Sequence, residues 1–349
     1  MKIRRLLLAG AACAAVAATS MAAAQPAPAV TGSWSPPPGA QVNVDRASGR
    51  VMITMPVELE ARAKGDPTFA AWRKTPYAGS GPWPATRVED PSLPTHTLYY
   101  PAALPDHLPV LLWANGGCRN TSVEFTRFLG DLASRGYFVI AIGRNDVPFA
   151  MFGPGDPVPS GSQASLVTRG GAPMIAGLDW ATKENARPGS RYFNKLDLSK
   201  VGALGQSCGG GQVWDAARDG RIKAIAALNS NFPTVKGGMM GPPPTDGWTV
   251  EKLAVPAAYF IGGPGDIAYA SAQTSYATTP ASAQVIKANL PVAGHTGAYP
   301  GPNPEWVTAV SGWLDWQLKG DPKAKALFAG PDCGLCTNPQ WWFESKNVN

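Results

Sequence analysis

The chain predicts an α/β protein: a mostly parallel central sheet with helices covering both of its faces. Two observations carry that expectation. From about residue 95 onward, short and almost uninterrupted apolar runs recur, and between them lie segments with apolar residues at helical spacing. Continuous apolar runs suit strands buried on both faces, and the intervening helices are the crossovers that parallel strands require. With 349 residues, 44% hydrophobic and 15% charged, the chain is long enough for a substantial core and has neither a disordered nor a coiled-coil composition. Gly 39 and Pro 35 occur without a short repeat, which indicates turns and long ordered loops rather than collagen or a linker.

The elements follow in order. Thr95–Tyr100 alternates as a strand does, and Pro109–Ala114 is a buried strand closed by the turn Asn115-Gly116-Gly117. Thr121-Ser122-Val123-Glu124 has the pattern of a capping box, Phe125, Phe128, Leu129 and Leu132 follow at helical spacing, and Gly136 supplies the stop. Tyr137–Ile142 completes a strand–helix–strand unit. Further on, helices are expected over Met174–Lys183, Gln212–Arg218 and Ala268–Tyr276, and strands over Val201–Leu204, Ile222–Leu228, Ala257–Ile261 and Ala283–Ala288. A last long helix starts with Asn303 as cap and Pro304 at its first position, carries Trp306, Val310, Trp313 and Leu314 on one face, and stops at Gly320. Two stretches, 144–171 and 229–256, break the alternation. Their apolar content predicts ordered walls or a lid rather than disorder.

Lys2, Arg4 and Arg5 precede an apolar run, and Ala22-Ala23-Ala24 resembles a cleavage site, so residues 1–24 read as a secretory signal peptide; a lipoprotein anchored at Cys13 is the rival. Removing that segment takes three of the 30 cations and none of the 24 acids, so the formal charge falls from +6 to +3. No clustered basic face remains, and nucleic acid is not an expected partner. No later segment reaches the ~20 apolar residues of a membrane span. Residues 25–45, rich in Pro and Ala, read as a flexible lead-in, and 46–349 as one α/β domain with a tail containing Cys333 and Cys336. A secreted or periplasmic location makes the four remaining cysteines candidates for two disulfides. The C-x-x-C pair at 333 and 336 lacks enough further ligands for zinc and reads as a local bridge; neither a metal nor a cofactor is expected.

Gly205-Gln206-Ser207-Cys208-Gly209 is a G-x-S-x-G pattern placed directly after one predicted strand and before a helix. The bare pattern is weak in a Gly-rich chain, but a sharp strand-to-helix turn forces its central residue into strained backbone geometry and lifts the serine hydroxyl above the sheet edge. A serine hydroxyl needs a base within reach. His96 and His107 precede Ser207, so the chain order serine, acid, histidine selects His295. The acids between them are Asp215, Asp219, Asp246, Glu251 and Asp266, of which Asp266 is favoured because it closes the turn right after the strand Ala257–Ile261. Two N–H donors are needed for an oxyanion: that of Cys208 and one from the turn carrying Gly116 and Gly117. Cys118 and Cys208 then lie on the two segments that build this hole. A disulfide between them would lock it, the alternative being two free buried thiols.

With these residues in this order, the chain resembles the α/β-hydrolase family from about Thr95 to Gly320. Gly205-Gln206-Ser207-Cys208-Gly209-Gly210-Gly211 is similar to the elbow of secreted polyester hydrolases, cutinase-like and chlorophyllase-like enzymes. Trp113-Ala114-Asn115-Gly116-Gly117-Cys118 resembles the oxyanion segment of secreted hydrolases. The resemblance implies Ser207 as nucleophile, His295 as base and Asp266 as acid, acting on a small-molecule or polymeric ester. Cys208 stands where polyester hydrolases usually carry Met, and Asn115-Gly116-Gly117 where lipases often carry His-Gly-Gly. A peptidase or acyltransferase with the same triad, and a binding protein using some of the twelve tryptophans, are the rival expectations.

Overall fold

In the computed structural model, described residues are 41–45, 50–54, 77–119, 121–144, 170–235, 246–296, 299 and 303–348. They all belong to one compact unit, Pro36–Asn349. The expected signal peptide, and the 145–169 and 236–245 portions of the two long loops, lie outside them.

In chain order the elements are β1 (Gln41–Asp45), β2 (Arg50–Thr54), β3 (Ala85–Val88), β4 (His96–Pro101), β5 (Leu108–Ala114), α1 (Thr126–Ser134), β6 (Phe138–Ile142), α2 (Ala172–Ala186), β7 (Leu196–Gln206), α3 (Cys208–Ala216), β8 (Ile222–Leu228), β9 (Ala257–Ile261), α4 (Tyr269–Thr278), β10 (Val285–Asn289), α5 (Pro304–Leu314), α6 (Pro322–Lys325), α7 (Gly334–Thr337) and β11 (Trp342–Lys346). Strands β1 and β2 pair as an antiparallel hairpin, so residues 41–45 of the expected lead-in are strand. The polar–apolar alternation of β1, Gln-Val-Asn-Val-Asp, is the two-residue period of a sheet.

The other nine strands form one mixed sheet in the order β11-β10-β9-β8-β7-β5-β6-β4-β3. The six strands from β10 to β6 run parallel, while β3, β4 and β11 are antiparallel additions at the edges. The side chains of each parallel strand divide between two cores. Leu111, Trp113, Val139, Ala226 and Phe260 pack with α1 and α5 on one face. Val110, Leu112, Ile140, Ala227 and Tyr259 pack with α2, α3 and α4 on the other. That two-sided burial explains why the strands read as continuous apolar runs.

Strand order reverses between β5 and β7. The chain leaves β5 for β6 on one side, then returns through α2 to β7 on the other, and a crevice at the carboxyl ends of two such strands is where open α/β sheets bind ligands. Ala114 pairs with Gly205, so the turns after β5 and β7 leave the sheet side by side.

The capping box does not form. A 3-10 turn over Val123–Phe125 intervenes, neither it nor α1 has a side-chain cap, and Glu124 pairs instead with Arg119 at 2.8 Å. Thr121 Oγ1, the hydroxyl expected to cap, meets the Val123 N–H at a long 3.4 Å, and the neighbouring Ser122 hydroxyl faces that of Tyr99 on the sheet at 3.2 Å. At α5 the cap is as read: Asn303 Oδ1 accepts from the Trp306 N–H at 3.1 Å, and Gly320 ends the segment in the left-handed region after a wide turn, Asp315–Lys319.

Candidate active site

Ser207 stands between β7 and α3 with φ 51° and ψ −119°. For a residue other than glycine this is a strained conformation, held by its surroundings. Its N–H donates to the Leu228 carbonyl on β8 at 3.0 Å, and its own carbonyl accepts from Gly210 N at 2.9 Å and Ser230 Oγ at 2.6 Å. The flanking glycines are sterically required. A Cβ on Gly205 would overlap the Gly209 carbonyl, one on Gly209 would overlap the Ala114 carbonyl of β5, and one on Gly210 would overlap Ser230 Oγ. Helix α3 therefore starts in backbone contact with the sheet, and the serine side chain is carried above the strand ends.

The loops after β9 and β10 pack equally closely. A Cβ on Gly262 would overlap the backbone of Gly294, and Gly263, at φ 71°, lies against Pro291. This approach joins Asp266 to His295: Nδ1 of the imidazole meets Asp266 Oδ1 at 2.7 Å, and its Nε2 meets Ser207 Oγ at 3.1 Å. The carboxylate is wholly buried, whereas 19% of the His295 side chain is exposed, which leaves the imidazole open to a reactant. Gln206 Nε2 donates to the His295 carbonyl at 3.0 Å and steadies the loop from the elbow side.

Asp266 accepts from four donors. Besides His295, Oδ1 accepts from Ala268 N at 2.9 Å, and Oδ2 accepts from Gly262 N at 3.0 Å and from Asn229 Nδ2 at 2.7 Å. With Asp266 Oδ1 as the acceptor, the His295 proton lies on Nδ1, leaving Nε2 as acceptor toward serine. Asn229 also donates to the Gly294 carbonyl at 2.8 Å and accepts from the Tyr299 hydroxyl at 2.6 Å. Burial, reinforced by the charge of Asp266, pushes the Tyr299 hydroxyl well above its ordinary range, so it remains a donor.

The turn after β5 closes the site from the other side. Gly116–Cys118 is a 3-10 turn with Gly117 at φ 63° and Cys118 at φ 50°. Asn115 clips it down: its Oδ1 accepts from Trp113 Nε1 at 2.8 Å, and its Nδ2 donates to the carbonyls of Ile142 at 2.7 Å and Arg119 at 2.9 Å. Arg119 Nε holds the Gly116 carbonyl at 3.0 Å. The Cys118 N–H is turned back onto the Asn115 carbonyl at 3.2 Å, so the donors this segment offers are those of Gly116 and Gly117. On the facing segment, Cys208 is the first residue of α3 and its N–H has no intrahelical acceptor. Cys118 and Cys208 stand in disulfide geometry with Cα atoms 5.1 Å apart.

The other candidates lie elsewhere. Asp215 binds Gly171 N and Arg218, Asp219 holds Arg221, Asp246 pairs with Arg218 at 2.7 Å, and Glu251 sits in the turn Val250–Lys252. His96 is buried between β4 and α2, with Nδ1 2.9 Å from Thr95 Oγ1 and Nε2 3.0 Å from the Pro173 carbonyl. Cys333 and Cys336 form the second disulfide-geometry pair, Cα atoms 4.9 Å apart, in the tail around α7. Of the tryptophans, Trp113 and Trp341 are buried in the core, whereas Trp83 is exposed. Among the described residues, no group of three or more His, Cys, Asp or Glu is placed to hold a metal ion.

Sequence reasoning missed Asn229 and Tyr299 as site residues. The signal that could have found Asn229 is its position: β8 and β9 pair Leu228 with Phe260, so the residue after β8 stands beside the turn leading to Asp266. No protein-family model matches the chain, and no curated protein does either.

Proposed function

We propose that the chain is a serine hydrolase of the α/β-hydrolase fold that cleaves carboxylic esters through an acyl-enzyme. The observation that carries this reading is the unbroken contact from Ser207 Oγ through His295 to a buried Asp266 that accepts four hydrogen bonds. It is supported by the strained elbow, by the order serine, acid, histidine along the chain, and by the site's place at the reversal of strand order.

In this reading His295 Nε2 takes the Ser207 proton as Oγ attacks the ester carbonyl, and Asp266 stabilises the imidazolium without itself taking the proton. The tetrahedral oxyanion rests on the N–H of Cys208 and on one from Gly116 or Gly117. The imidazolium then protonates the departing alkoxide. Water, deprotonated by the same imidazole, attacks the acyl-serine and releases the acid. A Cys118–Cys208 bond ties together the two segments that carry the donors, so the hole is formed before substrate arrives. Two cysteine pairs in disulfide geometry accord with an exported protein, secreted or periplasmic. Among the described residues no helix is long and apolar enough to cross a membrane.

The test is turnover of p-nitrophenyl esters of increasing acyl length by the parent and by S207A. The parent should hydrolyse at least one of them, and S207A should lose about 10⁴-fold or more in kcat. Equal rates in both proteins would remove the reading.

A further inference from the structure

We infer that Asn229 is a positioning residue of this site, one that reserves one oxygen of Asp266 for His295 and is itself oriented by Tyr299. The inference rests on the hydrolase reading only for its kinetic consequence; its geometric content does not depend on turnover. Every hydrogen-bonding atom of the Asn229 amide is used. Oδ1 takes the Tyr299 proton, and the two Nδ2 protons go to Asp266 Oδ2 and the Gly294 carbonyl. Flipping the amide would set its oxygen against a carboxylate and a carbonyl, so only one orientation is compatible with its neighbours. The side chain is completely buried, and no water shell competes for these bonds.

The two acceptors that Nδ2 serves belong to the loops after β9 and β10, the same loops that carry Asp266 and His295. One amide just past β8 thus spans the pair and fixes both the rotation of the carboxylate and the approach of the imidazole. Asn229 itself adopts φ 47°, a left-handed conformation that Asn, Asp and Gly accept and most residues do not. Position 229 therefore calls for a short side chain that tolerates this backbone and donates at every pH. Asn meets all three requirements; Asp donates only while protonated, and Gly has nothing to donate. The titratable groups facing Asn229 are Asp266 from the loop after β9, His295 from the loop after β10, and Tyr299.

The experiment compares the parent with N229D, N229G and Y299F in the full chain. Two readouts are followed: ester kinetics, and NMR of the three histidines, with His295 assigned by substituting the other two. In N229G the far-downfield His295 Nδ1–H resonance should shift or broaden, and kcat should fall roughly 10- to 100-fold with KM within about twofold. Y299F should move both in the same direction by less. N229D keeps the shape and the backbone preference, but sets a second carboxylate against Asp266. The coupled site should then hold a proton to higher pH, displacing the His295 titration and the acid limb of kcat/KM upward by about a unit. If N229G does not fold, N229D alone decides. A parental His295 titration in N229D, or a parental resonance and rate in N229G, overturns the inference while leaving the hydrolase reading intact. Should the parent hydrolyse no ester, the resonance and the titration still decide it.

Discussion

At residue 207 the chain accepts a backbone conformation that most side chains avoid, and three hydrogen bonds to neighbouring segments hold it there. Strain of this kind costs of order 1–3 kcal/mol and persists where the surrounding structure over-determines it. The hydroxyl, not the backbone, is what the proposed chemistry needs, so the two are separable by substitution. S207G relieves the strain and S207A retains it. S207G should be the more stable by about 1–3 kcal/mol in urea unfolding, although both lack the nucleophile. Equal stability would mean that the elbow is not strained. His96 separates stability from chemistry in another way. Burial pushes its imidazole down to about 4, although its bond to the Pro173 carbonyl opposes that shift. Between pH 6.5 and 4 the unfolded chain binds a proton at this position that the folded chain does not, so stability rises with pH across that window and is lost as the solution is acidified. The effect is of order 2–3 kcal/mol. Urea unfolding at pH 7 and pH 4.5 should show it, and H96Q should flatten that part of the dependence.

At the scale of elements, legibility followed burial. The bounds expected for β8 and β9 coincide with those observed because each is apolar on both faces and begins and ends in turn residues. The start of α5 was readable because Asn303 and Pro304 are local signals that act on the adjacent backbone. The edge strands were not readable. Strand β3 has four residues, β11 reads Trp-Phe-Glu-Ser-Lys, and each pairs on one side only, so neither presents a continuous apolar run. The capping-box pattern misled because its carboxylate, Glu124, turns to Arg119 instead of back to the backbone, and a 3-10 turn separates it from α1. At the candidate site, the elbow and the chain order singled out Ser207 and His295, and the turn after the strand Ala257–Ile261 favoured Asp266 among five acids. Asn229 and Tyr299 stayed hidden, since their bond joins residues 70 apart through an amide and a phenol that carry no motif of their own.

Across the whole molecule, the sheet brings residues from distant stretches of the chain to one rim, and the Cys118–Cys208 pair spans 90 residues of sequence there. In the loop-entropy model a bond closing ~90 residues stabilises the fold by roughly 4–5 kcal/mol. Cys333 and Cys336 are three apart, so the same model gives their bond much less leverage over the unfolded chain. C118A/C208A should therefore unfold several degrees below the parent and lose ester turnover at temperatures where it is still folded, whereas C333A/C336A should change turnover little. Thermal scans alongside initial rates would check both. The central claim is that the rim carries an activated serine, and labelling by a fluorophosphonate probe, with the site read by peptide mass spectrometry, tests it most directly. The account predicts one adduct, on Ser207, formed rapidly by the parent and slowed by about 10³-fold or more in H295A and D266N. No adduct on Ser207, or one that forms as fast without His295, would contradict it.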